Sequence, residues 1–210
     1  MSLRKEPFAV DEYYHLYSRG VDKRKIFLNA QDYRKFLFLM YVCNSEKSIV
    51  LRDIGKDFNR GETIVDIGAF CLMPNHFHIL VREKIENGIS LFMRKLLTGY
   101  AMYFNLKHGR KGKLFDGAFK SINASDDRYL KYLYSYIHLN PAKLVDKDWK
   151  DNIKRDREKL LSFCLSYPYS SIIEYKKANY RIINSRPFPE YFSSFSDYIN
   201  ELTDWLQFTP

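Results

Sequence analysis

Hydrophobic and polar residues alternate with two different periods along the first two thirds of the chain. Residues 12–18 are rich in β-forming side chains, and apolar residues recur at helical spacing through residues 31–43. Two more strand-like runs, residues 63–73 and 76–82, flank Pro74-Asn75. Because proline cannot donate to a sheet ladder, this dipeptide predicts a turn that joins two antiparallel neighbours.

The pattern continues with a long helix over residues 90–106, a strand over residues 114–122 and a third helix over residues 128–139. A C-terminal extension follows, with a short helical stretch over residues 195–206. The order of elements is therefore β-α-β-β-α-β-α plus the extension. This order predicts an α+β fold in which helices pack on a central, mainly antiparallel sheet.

The charge of the chain narrows the choice of partner. Lys and Arg outnumber Asp and Glu by 34 to 25, which gives a formal net charge of +9. A balance this basic favours a polyanionic partner, either nucleic acid or an anionic membrane face.

Several classes of protein are disfavoured. No apolar run approaches the roughly 18 residues that a membrane span requires, and the N-terminal residues lack the apolar segment of a signal peptide. Cys43, Cys71 and Cys164 are widely spaced and odd in number, which favours a reducing compartment. We therefore expect a cytoplasmic protein without membrane contact.

Two histidines at alternating positions are the first candidates for chemistry. In a strand, His76 and His78 point to one face at a spacing of about 6.6 Å, and Phe77 points to the other. Two imidazoles so placed suit a shared metal ion. An isolated H-x-H pair is more often a solvated strand face or a hydrogen-bonded core histidine. Here the pair stands between apolar runs, where polar groups need a partner.

The tyrosine-rich helix before Asn140-Pro141 supplies the second candidates. Tyr136 and Asn140 are four residues apart and share one helix face with Tyr132, whereas Tyr134 lies nearly opposite. Taken alone, the pattern is more typical of an amphipathic helix whose rings fill the core, with Asn140 as a C-terminal cap.

The histidine pair and the tyrosine-rich helix together predict a metal site that neither feature predicts alone. Two imidazoles and a carboxamide oxygen give an open three-ligand site, which suits Mg²⁺ or Mn²⁺ better than a structural Zn²⁺. A tyrosine hydroxyl one turn from a ligand is then a candidate nucleophile toward a metal-polarised phosphate.

Five blocks of the sequence carry a family resemblance. The most specific are Met-Pro-Asn-His-Phe-His at residues 73–78 and Tyr-Ile-His-Leu-Asn-Pro at residues 136–141; the others are residues 14–20, 91–105 and 112–122, with a weaker sixth at 167–171. Together they resemble the single-tyrosine HUH transposases of the IS200/IS605-like family, and most of all the branch of REP-associated tyrosine transposases. We predict an HUH transposase domain over residues 1–175 and a C-terminal extension over residues 176–210.

The resemblance implies a ferredoxin- or RRM-like HUH fold and a transposase that nicks and transfers DNA strands. His76 and His78 match the metal-binding histidines, Asn140 matches the polar residue that completes the site, and Tyr136 matches the nucleophile. In this family the tyrosine attacks a phosphate in single-stranded DNA beside a hairpin, forms a 5′-phosphotyrosine bond and releases a 3′-hydroxyl. The implied cofactor is Mg²⁺ or Mn²⁺.

Basic residues are candidate contacts to a DNA hairpin and its single-stranded flank. Each of them alone is more typical of a solvated charge, but as a set they can line a groove. They are Arg19, Lys23, Arg24, Arg94, Lys95, Arg110, Lys111, Lys113, Lys120 and Lys143.

Several alternatives stay open at this point. They are a domesticated nickase-ligase that serves dispersed genomic repeats, a non-catalytic protein that binds DNA hairpins on the same scaffold, and a metal hydrolase of RNA or nucleotides. Monomer and homodimer both fit, because mobile-element relatives form dimers that share active sites and the REP-associated branch tends to act as monomers. For a DNA enzyme, the expected cytoplasmic location is at the nucleoid.

Overall fold

Four antiparallel strands form the central sheet in a computed structural model of the chain, which describes residues 7–48, 54, 58–152 and 156–207. The strands are β1 (Tyr13–Arg19), β2 (Val65–Met73), β3 (His76–Glu83) and β4 (Lys120–Asn123). Their order in the sheet is β2-β3-β1-β4, and every neighbouring pair is antiparallel. The predicted α+β class with a central antiparallel sheet is confirmed.

Within the described ranges, six α-helices surround this sheet. They are α1 (Ala30–Cys43), α2 (Gly88–Lys107), α3 (Asp127–Leu139), α4 (Arg157–Ser166), α5 (Ile172–Lys177) and α6 (Phe195–Gln207). The sequence pattern did not indicate α4 or α5. In α4 the apolar residues are clustered within positions 160–165 and only Leu160 and Cys164 are buried, so they do not define a helical period.

The last predicted strand is shorter than expected. The apolar run at residues 114–122 predicts one continuous strand, but β4 begins only at Lys120. Leu114 and Phe115 lie in a loop, and their side chains are buried in the core. Gly117 has a φ of 76°, which interrupts extended backbone. Buried residues in this loop therefore produced the same apolar sequence pattern as a strand.

Side-chain alternation along β3 determines which residues face α3. Phe77 and Ile79 pack in the core cluster that includes α1 and α2, whereas Leu80 packs in the cluster that includes α3. His76 and His78 share the parity of Leu80, so they face α3 across the sheet surface.

A tight turn fixes the start of β3. Pro74 and Asn75 connect β2 to β3, as predicted, and the two strands pair in antiparallel register. The backbone of Ile26 donates to the Pro74 carbonyl at 2.8 Å, and that of Gly20 donates to the Asn75 carbonyl at 2.9 Å. These bonds hold the turn, and with it His76, against the segment that follows β1.

The two ends of α3 determine where Tyr136 and Asn140 lie. Asp126 caps the helix, because its carboxylate accepts a hydrogen bond from the backbone of Tyr129 at 2.7 Å. After Leu139 the chain continues in a 3₁₀ turn, Asn140–Leu144, and Asn140 keeps helical backbone angles. Asn140 thus stays one turn beyond Tyr136 on the same side of the helix.

The C-terminal extension packs on the rest of the protein. Tyr198 and Leu202 of α6 are buried in the same core cluster as Leu130 and Leu133 of α3. The predicted division at residue 175 stays a prediction, and residues 1–6 and 208–210 lie outside the described part. None of the helices in the described ranges combines the length and hydrophobicity of a membrane span.

Asp32 joins α1 to the end of α2 by an ion pair in which the carboxylate is buried and the lysine is partly exposed. Its carboxylate lies 2.7 Å from Lys107 Nζ and 3.2 Å from His108 Nε2, and it accepts a hydrogen bond from the Leu28 backbone at 2.9 Å. Burial raises the pKa of this carboxyl, but the hydrogen bonds from Lys107, Leu28 and His108 outweigh burial and hold the pKa below its usual range.

We expect Asp32→Asn to lower the free energy of unfolding at neutral pH, because the neutral amide loses the ion pair with Lys107 and the charge that strengthens the hydrogen bond from the Leu28 backbone. The depressed pKa means that the carboxylate stabilises the fold above its unfolded pKa and that this contribution is lost as pH falls through the folded value. Urea unfolding of both proteins from neutral pH to below about pH 4 measures the difference. A difference that does not shrink in acid would rule out the ion pair as its source.

Candidate active site

The candidate site lies where the start of β3 faces α3. The ring centroid of His78 is 5.1 Å from that of His76 and 5.3 Å from that of Tyr136. Asn140 Nδ2 donates to the backbone carbonyl of Tyr136 at 3.1 Å. The fold therefore brings together the four residues that the sequence singled out, although they come from elements about 60 residues apart in sequence.

Hydrogen bonds determine which nitrogen of His76 is free. Its Nδ1 lies 2.7 Å from Asn75 Oδ1, and Asn75 Nδ2 donates to the carbonyl of Lys23 at 3.3 Å. The amide of Asn75 is thereby oriented with Oδ1 as the acceptor, so His76 Nδ1 carries a proton. In the neutral ring, Nε2 keeps a lone pair that a ligand can use.

His78 has a histidine partner that the sequence did not reveal as a site residue. His78 Nδ1 lies 2.8 Å from Nε2 of His15 on β1, and His15 is only 4% exposed. The ring centroid of His15 is also 5.8 Å from that of Tyr136. His15 belongs to the first block of the family resemblance. Its contact with His78 depends on the β1–β3 register, in which Tyr17 pairs with His78.

The three imidazoles are neutral near physiological pH. Burial lowers the pKa of His15 to about 4. Burial also lowers the pKa of His76 to about 4, with a smaller opposing effect of Asn140. For His78, burial and the neighbouring histidines lower the pKa well below its ordinary value. Neutral imidazole is the form that binds metal ions.

Asn140 presents a buried oxygen near His76. The side chain is 2% exposed, and among the described residues Oδ1 has no hydrogen bond of good geometry. Because Nδ2 is bonded to the Tyr136 carbonyl, the amide is oriented and Oδ1 is its free end. A buried acceptor left unpaired costs free energy, so a cation fits this position.

The donor set is chemically consistent with a hard or borderline cation. Nε2 of His76, Nε2 of His78 and Oδ1 of Asn140 are imidazole and carbonyl ligands, which accommodate Mg²⁺ or Mn²⁺. In the described part of the chain, no group of three or more His, Cys, Asp or Glu side chains is placed to hold a metal ion. The candidate set here depends on the amide of Asn140.

The site opens into a cavity of about 340 Å³ with basic walls. Four of the predicted DNA contacts line it together with the two histidines and Tyr136: Arg19, Lys23, Lys120 and Lys143. Arg19 is held by Asp116 at 2.9 Å. The cavity thus combines a candidate nucleophile, candidate metal ligands and basic side chains.

The other predicted DNA contacts are not among the residues that line this cavity. Arg24 pairs with Asp22 at 3.3 Å, and Arg110, Lys111 and Lys113 follow the end of α2. Arg94 and Lys95 belong to α2, which packs on the opposite face of the sheet from α3, and Lys95 Nζ donates to the carbonyl of Ser45 at 2.6 Å. The fold does not bring Arg94 and Lys95 to the candidate site.

Comparisons with known proteins place the chain in a family. The model of the family described as "Transposase IS200 like" matches residues 13–140, which run from the start of β1 to Asn140. No curated protein matches the chain. A solved structure of a REP-associated tyrosine transposase bound to a REP hairpin matches with a TM-score of 0.52 and 16% sequence identity, and covers 92% of this chain and 96% of that chain.

These findings differ in what they establish. At 16% identity, the solved structure shows a shared fold. The family model extends over more than half of the sequence and includes His76, His78, Tyr136 and Asn140. The chain therefore belongs to the IS200-like transposase family.

Proposed function

We propose that this member of the transposase family is a metal-dependent endonuclease and strand transferase that acts on single-stranded DNA beside hairpins. The observation that supports it most is the arrangement around Tyr136. The ring of Tyr136 contacts that of His78, its carbonyl orients Asn140, and Asn140 Oδ1 is buried without a partner in the described part of the chain.

Tyr136 is the proposed nucleophile. Its side chain is partly exposed and lines the basic cavity. The hydroxyl oxygen attacks the phosphorus of a phosphodiester, the bond from phosphorus to the 3′ oxygen breaks, solvent takes the phenol proton, and the 3′ oxygen leaves as a hydroxyl after protonation. The 3′-side fragment stays attached to Tyr136 through its 5′ phosphate.

The same chemistry in reverse joins strands. A different 3′-hydroxyl attacks the phosphotyrosine, a phosphodiester forms and the Tyr136 hydroxyl is restored. One phosphate ester is exchanged for another in each step, so strand transfer needs no ATP.

His76 Nε2, His78 Nε2 and Asn140 Oδ1 would hold the divalent cation, because the other polar atoms of these side chains already have partners. When bound, Mg²⁺ or Mn²⁺ supplies Lewis-acid polarisation of the phosphate. Arg19, Lys23, Lys120 and Lys143 are the proposed contacts that hold the DNA backbone along the cavity. Hairpin DNA is proposed as the substrate because the solved structure of similar fold is bound to a REP hairpin.

A covalent-trapping assay tests this function. The full chain is incubated with single-stranded hairpin DNAs, labelled at either end, with Mn²⁺ or with EDTA, and resolved on a denaturing gel. The 3′ label should move with the protein and the 5′ label should be released on a shorter strand, in both cases only with metal. Cleavage of both labelled strands without a protein adduct would instead indicate hydrolysis, and tight binding without cleavage would indicate a binding protein.

His15 is the proposed positioning residue for His78. If Nε2 of His78 held the cation, Nδ1 of His78 would carry the proton and donate it to His15 Nε2, which would fix the ring. We expect His15→Ala to raise the Mg²⁺ concentration that gives half-maximal cleavage by about 10- to 100-fold, with a much smaller change in rate at saturating metal.

The conservative variant separates orientation from packing. His15→Gln keeps a side-chain acceptor near His78 and should recover much of the metal affinity lost in His15→Ala. Circular dichroism of both variants checks the fold. Equal metal dependence of wild type and His15→Ala would remove His15 from the positioning role.

A further inference from the structure

Both tryptophans of the chain line one aromatic cavity beside Tyr136. The chain contains two tryptophans, Trp149 and Trp205, and they contribute to a cavity of about 400 Å³ together with Tyr132 and Tyr136. Lys143 and Tyr136 also line the candidate active-site cavity. The two cavities therefore adjoin at the proposed nucleophile.

The walls of this aromatic cavity offer faces on which a flat ring can stack. The ring centroids of Tyr132 and Trp205 are 4.8 Å apart, and Trp205 is 37% exposed. Trp149 is 6% exposed, and Lys150 Nζ lies 5.7 Å from its ring centroid. Stacking on aromatic side chains, with lysines nearby for the backbone, is how proteins hold unpaired nucleotides.

Two lysines in the same cavity favour a ligand that carries negative charge. Lys143 and Lys150 both line it together with the aromatic rings. A nucleotide combines a flat aromatic base with a charged phosphate, whereas an aliphatic ligand would use neither the rings nor the lysines.

We propose that the aromatic cavity binds the base of an unpaired nucleotide next to the phosphodiester that Tyr136 attacks. This inference rests on the proposed function, because it takes the position of the scissile phosphate from Tyr136. With that phosphate at the Tyr136 hydroxyl, the neighbouring base reaches the wall of Tyr132 and Trp205, and Lys143 lies between the two cavities. The C-terminal helix α6, through Trp205, thus contributes to DNA recognition.

Tryptophan fluorescence tests the inference directly, because both tryptophans of the chain line this cavity. The full-length Tyr136→Phe protein is titrated in Mg²⁺ with dye-labelled single strands of about ten nucleotides, made of dT, dA or dC, and with an abasic strand of the same length. Dye anisotropy measures binding. We expect at least one base-bearing strand to quench the tryptophan emission and the abasic strand to bind without quenching it.

Substitution of Trp205 measures how much affinity the aromatic cavity contributes. Trp205→Ala should raise the Kd of the quenching strand by about 10-fold and leave that of the abasic strand unchanged, and Trp205→Phe should restore most of the affinity. Tyr180→Ala removes another exposed aromatic ring, outside this cavity, and should change neither Kd.

The outcomes separate this inference from the proposed function. Equal quenching by the abasic strand, binding without quenching, or no binding of any strand would overturn the base site. A covalent adduct in wild-type protein without quenching in the titration would leave the proposed function standing and remove the base site. Quenching without any adduct would keep the base site and remove the nuclease.

Discussion

Tyr136→Phe is expected to abolish the covalent protein–DNA adduct while hairpin DNA still binds. The substitution removes a single oxygen atom. The ring can still contact His78, and the backbone carbonyl can still accept the hydrogen bond from Asn140. Without the attacking oxygen, cleavage should fall by at least about 10³-fold, measured as adduct on a denaturing gel, with binding measured by anisotropy.

A matched substitution on the same helix separates the nucleophile from helix packing. Tyr129→Phe makes the same chemical change two turns earlier on α3 and should leave adduct formation unchanged. Tyr132 is the competing candidate, because its ring centroid lies 5.7 Å from that of Tyr136. Full adduct formation by Tyr136→Phe together with its loss in Tyr132→Phe would transfer the role of nucleophile to Tyr132.

Local periodicity was enough to predict the geometry within each half of the candidate site. The strand period places His76 and His78 on one face, and in the structure Phe77 indeed packs on the other side of the sheet. The helical period places Asn140 one turn after Tyr136, and their hydrogen bond agrees with this. Both relations depend only on neighbours in sequence, so they could be predicted without knowing the tertiary structure.

Relations between distant elements could not be predicted in this way. The contact of His15 with His78 depends on the pairing of β1 with β3, and an isolated strand pattern does not define a register. Trp149 and Trp205 line one cavity near Tyr136 because the segment after α3 and the helix α6 both pack in the same core cluster as α3. The charge of a residue likewise does not predict where it lies in the fold. Lys95 and Lys143 carry the same charge, but Lys95 lies on the opposite side of the sheet.

His76→Ala is expected to reduce metal-dependent cleavage by about 10³-fold, because it removes one of the proposed ligands and with it several kcal/mol of charge stabilisation. His76 is the more suitable of the two histidines to change. It is only partly buried, whereas His78 is 6% exposed, and its other partner, Asn75, lies in the turn before β3. The fold should therefore survive the substitution. Single-turnover cleavage over a range of Mg²⁺ concentrations measures the loss.

Isothermal titration calorimetry with Mn²⁺ measures metal binding separately from catalysis in the same variant. We expect weaker Mn²⁺ binding in His76→Ala and unchanged binding in His108→Ala, which makes the same substitution at the end of α2 beside Asp32. His108→Ala should lose some thermal stability and keep the cleavage rate. If His76→Ala cleaved DNA as fast as wild type at every Mg²⁺ concentration, His76 would not be a ligand, and the cation would have to be held by His78, Asn140 and a third group.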